Sequence, residues 1–111
     1  KKILVKGTLD RVRDFIYIDD VVEAIVLVIN SNLYKSNTFN ISSKSTTSVK
    51  NLIKLLETIV QKKKKIIFGK ATPGDIFGFG GNNDKFKKTY KWKTKFDLRR
   101  GLKIMSNYYQ T

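Results

Sequence analysis

The chain has 111 residues, 41% of them hydrophobic, and a formal net charge of +14; this bounds it to one domain at most, with enough apolar content for a real core. It contains no cysteine and no histidine, which excludes disulfides, thiolate metal sites and the commonest general base. No apolar run reaches the roughly 18 residues of a transmembrane helix, and no secretory leader is visible, so the expectation is a cytoplasmic protein with no membrane partner.

In chain order, residues 3–5 read as a short strand and 7–12 as a turn or loop. Residues 15–18, aromatic and β-branched, read as a second strand. Asp20, with Glu23 three residues on, reads as the cap of a helix over 21–30. That helix is apolar nearly all round, through Val22, Ala24, Ile25, Val26 and Leu27, which predicts burial between layers. Residues 38–42 are predicted as a strand in the middle of a sheet, and 43–47 supply capping hydroxyls for the next helix. Its apolar stripe is Val49, Leu52, Ile53, Leu56, Ile59 and Val60, with Lys50, Lys54, Glu57 and Gln61 outward. A strand follows at 66–68, then a glycine-rich loop over 69–83 that holds the only proline, Pro73. A short helix is expected over 84–90. Asp97 reads as the cap of a last helix running to about Tyr109, with Leu98, Leu102, Met105 and Tyr109 inward. Strands alternating with helices predict an α/β fold with mostly parallel pairing and no internal domain boundary.

Few side chains stand out chemically. Arg13 sits at the mouth of a short apolar segment that runs into a helix, where a guanidinium can clamp a phosphate or diphosphate by bidentate hydrogen bonds. The plainer reading pairs it with Asp10 or Asp14 on the surface. Asp19 and Asp20 read as a helix cap and its neighbour. The run of lysines at 62–65 reads as a solvated helix end that complements the helix dipole. Trp92, beside Tyr90 and Lys91, has the composition of a base-stacking platform, although such an aromatic more often packs beneath a final helix. The lysine excess attracts polyanions, which makes a small basic nucleic-acid-binding module the alternative functional reading. Against it, the lysines are scattered and none of the common nucleic-acid motifs is present.

Four pieces, in order, resemble the C-terminal part of the extended short-chain dehydrogenase/reductase family, the NAD-dependent nucleotide-sugar epimerases and dehydratases. They are Gly7 with Arg13-Asp14-Phe15-Ile16-Tyr17-Ile18-Asp19-Asp20-Val21; Phe39-Asn40-Ile41 followed by the helix from Ser48 to Val60; Gly74-Asp75 followed by Lys85 and Trp92; and Leu98 through Tyr109. Each piece is a weak signal, and their order and spacing together are specific. The resemblance implies short, mostly parallel strands alternating with helices, with residues 1–111 forming a single substrate-binding domain fragment and the Rossmann NAD-binding domain absent from them. It implies a nucleotide-diphosphate sugar as ligand and a parent such as a UDP-glucose 4-epimerase-like enzyme. It also implies NAD in the parent, none bound by this fragment alone, and an N-terminal Rossmann half from the parent polypeptide.

Carried over residue by residue, Arg13 matches the arginine that binds the diphosphate. Asp75 matches the aspartate that meets the ribose or nearby hydroxyls, which is compatible with its place in a tight turn after Pro73-Gly74. Phe15 matches a position that borders the pocket, and Leu4 one whose backbone lies beside the base. No catalytic, cofactor-binding or metal residue is expected. The glycine-rich dinucleotide fingerprint and the family's Tyr-x-x-x-Lys pair do not occur in these residues, so the chain alone is expected not to turn over a sugar. Gly78-Phe79-Gly80-Gly81 lacks the flanking strand and helix that a fingerprint needs. Three departures bear on the ligand. Thr72 stands where the family often has a second phosphate-binding arginine, Lys6 where it often has an apolar residue against the base, and Asn82 where it usually has an aspartate. Lys6 or Arg11 is the candidate to supply the missing charge.

Overall fold

The computed structural model describes residues 2–33 and 37–109. Their elements follow in the order β1 (Lys2–Lys6), β2 (Val12–Asp14), α1 (Ile18–Ile29), β3 (Thr46–Ser48), α2 (Val49–Val60), β4 (Lys65–Gly69), α3 (Asp84–Tyr90) and α4 (Leu98–Tyr109). β1 and β4 pair in parallel, with Leu4 opposite Ile67 and Val5 opposite Phe68. β2 and β3 pair antiparallel, with Arg13 opposite Thr47. The alternation of strands and helices is as expected, and the pairing is mixed.

Two predicted strands are not strands. Pairing of β2 with β3 stops at Asp14, opposite Thr46, so residues 15–17 have no ladder to join and lead straight into α1. Residues 38–42 are irregular. Instead of pairing, Phe39 and Ile41 pack against a core of Ala24, Phe86 and Trp92. The rings there meet edge to face: Phe39 and Phe86 at 5.4 Å, Phe86 and Trp92 at 5.5 Å, the geometry that aromatic quadrupoles favour. Trp92 is 3% exposed, so it supports the packing of α1 and α3 and is closed to a stacking base.

Helix ends show local logic. Ser48 caps α2 by accepting from the Asn51 amide at 3.1 Å, and Gln61 ends it in the left-handed conformation. Asp97 caps α4 by accepting from the Arg100 amide at 2.7 Å. Asp20 is not a cap. Tyr17 occupies the N-cap of α1 without a side-chain bond. Asp20 lies one turn inside, fully buried, and accepts from the Lys95 and Phe96 amides at 2.9 and 3.2 Å. It clips α1 to the segment before α4, and a buried carboxylate needs such donors.

The expected burial of α1 on all sides is met on one side only. Ala24 faces the core, whereas Ile18, Val22, Ile25 and Ile29 form an exposed stripe at helical spacing. On α4, Leu102 is buried against the α2 side, but Met105 and Tyr109, expected inward, are exposed. No helix among the described residues is long and apolar enough to cross a membrane.

Candidate functional site

The carboxyl ends of β1 and β4 are joined by a bond from the Gly7 amide to the Gly69 carbonyl at 3.2 Å. In α/β sheets, the crevice beyond such ends is where ligands bind. Gly7 has φ +90°, and a Cβ there would lie 2.4 Å from Arg11 Nη2. Only glycine takes this conformation freely, and a side chain there would push the guanidinium from its present place. Arg11 and Arg13 are two residues apart along an extended segment, so they share one side of it.

The loop after β4 then closes over them. The Asp75 amide donates to the Thr72 carbonyl at 3.2 Å, forming a turn. The Val12 amide donates to the Phe77 carbonyl at 3.0 Å, and the Phe79 amide donates to the Val12 carbonyl at 3.4 Å. The loop therefore runs beside β2 with Gly78 bridged in parallel to Val12. This seats the Asp75 carboxylate between two guanidiniums. Arg13 Nη2 donates to Asp75 Oδ1 at 2.5 Å and to the Ile76 carbonyl at 2.9 Å. Arg11 Nη1 pairs with Asp75 Oδ2. The side chains of Arg11, Arg13 and Asp75 are 13%, 28% and 26% exposed, so solvent reaches the cluster. Two cations share one anion, which leaves it with one positive charge in excess.

Asp14 holds this arrangement from the other side of β2. Its Oδ1 accepts from the Ser43 amide and hydroxyl at 2.8 and 2.6 Å, and its Oδ2 from the Lys44 and Gly81 amides at 3.1 and 3.2 Å. The closeness is built on Gly81, where a Cβ would lie 2.4 Å from Ser42 Cβ. Nearby, Lys44 Nζ bonds Asp84 at 2.7 Å. That hydrogen bond, opposed by desolvation, holds the Asp84 carboxyl below its ordinary range.

Of the residues expected from the sequence, Arg13 and Asp75 come together. Arg13 pairs with Asp75 and not with Asp10 or Asp14. Leu4, exposed on β1, lies against Gly69 at the same strand ends, its Cδ1 3.2 Å from where a Gly69 Cβ would be. Phe15 lies elsewhere. It lines a cavity of about 270 Å³ with Leu52, Leu56 and Leu102, and a polar cavity with Ser43 and Thr47; neither includes Arg13 or Asp75. Of the two candidate cations, Arg11 is the one that pairs with Asp75; its alternation with Arg13 is visible in the sequence. The role of Asp14 had no signal, since all its donors come from distant segments. Among the described residues, no group of three or more carboxylates is placed to hold a metal ion.

The family model for GDP-mannose 4,6 dehydratase matches residues 1–105. The chain belongs to that family. It is 28% identical over 89 residues to a UDP-glucose 4-epimerase of Rhizobium meliloti, covering 78% of this chain and 27% of that protein. Its fold is similar to the crystal structure of UDP-glucose 4-epimerase from Thermotoga maritima with UDP-glucose, at 30% identity and TM-score 0.88 over 99% of this chain and 35% of that one. It is also similar to UDP-glucuronic acid 4-epimerase from Bacillus cereus in complex with UDP-glucuronic acid and NAD, at 25% identity and TM-score 0.93, again over 99% of this chain and 35% of that one. The chain therefore has the fold of part of an extended short-chain dehydrogenase/reductase, as expected from the sequence. The chain spans about a third of the length of the curated relatives it matches. These relatives give the nucleic-acid reading of the charge no support.

Proposed function

We propose that the chain is the substrate-binding part of an NAD-dependent nucleotide-sugar epimerase or dehydratase, with a reaction like that of UDP-glucose 4-epimerase in the whole enzyme. One observation carries the reading: Arg13 and Asp75, 62 residues apart, meet beyond the carboxyl ends of β1 and β4. Arg13 already gives one N–H to a carboxylate, and a phosphate offers its guanidinium a bidentate partner with more charge. On binding, the diphosphate takes the guanidinium and Asp75 turns to accept from a ribose hydroxyl. Leu4 borders the base. Phe15 reaches the ligand only where the rest of the enzyme extends the pocket to it.

The residues present do not fit a dinucleotide. Gly78-Phe79-Gly80-Gly81 lies along β2 and not between a strand and a helix. NAD, which the Bacillus cereus relative holds, belongs in this reading to an N-terminal Rossmann half, and the exposed apolar stripe of α1 is the surface that half covers. Bound there, it supplies the hydride-transfer chemistry. The residues of this chain contribute binding energy and orientation, which hold the reacting carbon in place through the remote diphosphate. Calorimetric titration of the protein with UDP-glucose tests the assignment. Arg13→Ala weakens binding by about 2 kcal/mol, the scale of a hydrogen-bonded charge. An unchanged dissociation constant would remove Arg13 from the site.

A further inference from the structure

We infer that Arg11 is a second ligand-binding guanidinium, one that distinguishes a diphosphate from a monophosphate, and that Asp75 occupies its fork in the ligand-free protein. The inference deepens the reading above and rests on it. Each Asp75 oxygen takes one arginine: Oδ1 takes Arg13 and Oδ2 takes Arg11. One carboxylate thus does the work of an anion that carries more charge and more oxygens. A diphosphate balances two guanidiniums, whereas a single carboxylate leaves one in excess.

The niche of Arg11 is built for a guanidinium and left incomplete by the protein. Gly7 makes the room, since a Cβ would lie 2.4 Å from Nη2. Arg11 Nε is buried and has no hydrogen-bond acceptor. A buried donor without an acceptor is costly, so an arginine kept only for structure is poorly served here. An incoming anion can supply acceptors to this guanidinium, since the cluster opens to solvent through Arg13 and Asp75.

The test compares UDP, UMP and inorganic pyrophosphate by calorimetry on the wild-type protein and on Arg11→Ala, Arg11→Gln and Arg13→Ala. Arg11→Gln keeps most of the stem's packing and guards against misfolding of the alanine variant, with a thermal melt for each. Loss of Arg11 is expected to weaken UDP and pyrophosphate by about tenfold or more, while UMP changes by less than about twofold, so the UDP-to-UMP preference narrows. If both Arg11 variants keep the wild-type preference while Arg13→Ala loses UDP, the inference about Arg11 is wrong and the site stands. Equal weakening of UDP and UMP in both Arg11 variants also overturns it, because that is what a purely structural arginine does. If the wild type binds neither UDP nor pyrophosphate, or Arg13→Ala binds UDP normally, the underlying site assignment falls and takes the inference with it.

Discussion

Asp14→Asn removes the charge that holds the site loops while leaving the shape of the side chain. In the wild type, four donors converge on the carboxylate, two on each oxygen. An asparagine presents one oxygen and one amide nitrogen. Whichever way it turns, two of the four donors face an N–H group, and the remaining two lose charge assistance. Hydrogen bonds to charged groups contribute about 1.5–3 kcal/mol each, and partial exposure here favours the low end. Two lost bonds at that low end, with some weakening of the other two, give an expected loss of about 3–4 kcal/mol, measured by urea unfolding with an unchanged m-value. Amide exchange at Lys44 and Gly81 should accelerate along with it, because these two amides share Oδ2. A change below about 0.5 kcal/mol, the scatter of an ordinary surface substitution, would show that Asp14 is not the anchor described and that the 77–81 segment is held to β2 by its backbone bonds alone.

Other perturbations probe separate links. Gly7→Ala forces a side chain into a left-handed backbone and against Arg11; a destabilisation of about 1–2 kcal/mol is expected, with weaker UDP binding in titration, and normal UDP affinity would mean that the guanidinium is not seated on Gly7. Asp75→Asn removes the competing anion, so inorganic pyrophosphate, which has no ribose to lose, should bind about three- to fivefold more tightly; weaker binding would contradict the stand-in role of the carboxylate. Because Lys44 depresses the Asp84 carboxyl, their link stabilises the fold above the unfolded pKa and is lost as pH falls through the lower folded value. The stability difference between wild type and Asp84→Asn should hold through neutral pH and shrink below about pH 4, as read from unfolding curves across that range; a difference that persists in acid would mean the link is not electrostatic.

Much of the helical framework is legible in the sequence, because caps and apolar periods are local. The Val49–Val60 stripe, Asp97 before Leu98, and the short α3 over Asp84–Tyr90 all sit where pattern places them, although the cap of α2 is Ser48 and not one of the hydroxyls at 43–47. Strands fare worse, since a strand exists only where a partner lies beside it. Phe15 and Ile16 have strand-like chemistry but no ladder, while Thr46 and Thr47, read as capping residues, belong to β3, which pairs with β2. Asp20 carries every mark of a cap and is instead a buried clip to residues 95 and 96, a contact set by packing across the whole chain. The family resemblance singled out Arg13 and Asp75 one by one, and the fold brings them together. That Arg11 joins them depends on the loop after β4 closing on β2.

The central claim is that a nucleotide diphosphate docks on the guanidiniums of Arg11 and Arg13 beyond the ends of β1 and β4. Nitrogen-15 NMR of the arginine Nε–H groups during a UDP titration reads this directly. The resonances of Arg11 and Arg13 should shift saturably while those of Arg99 and Arg100 stay in place. Movement of residues around the Leu52–Leu102 cavity, with Arg11 and Arg13 unchanged, would contradict it.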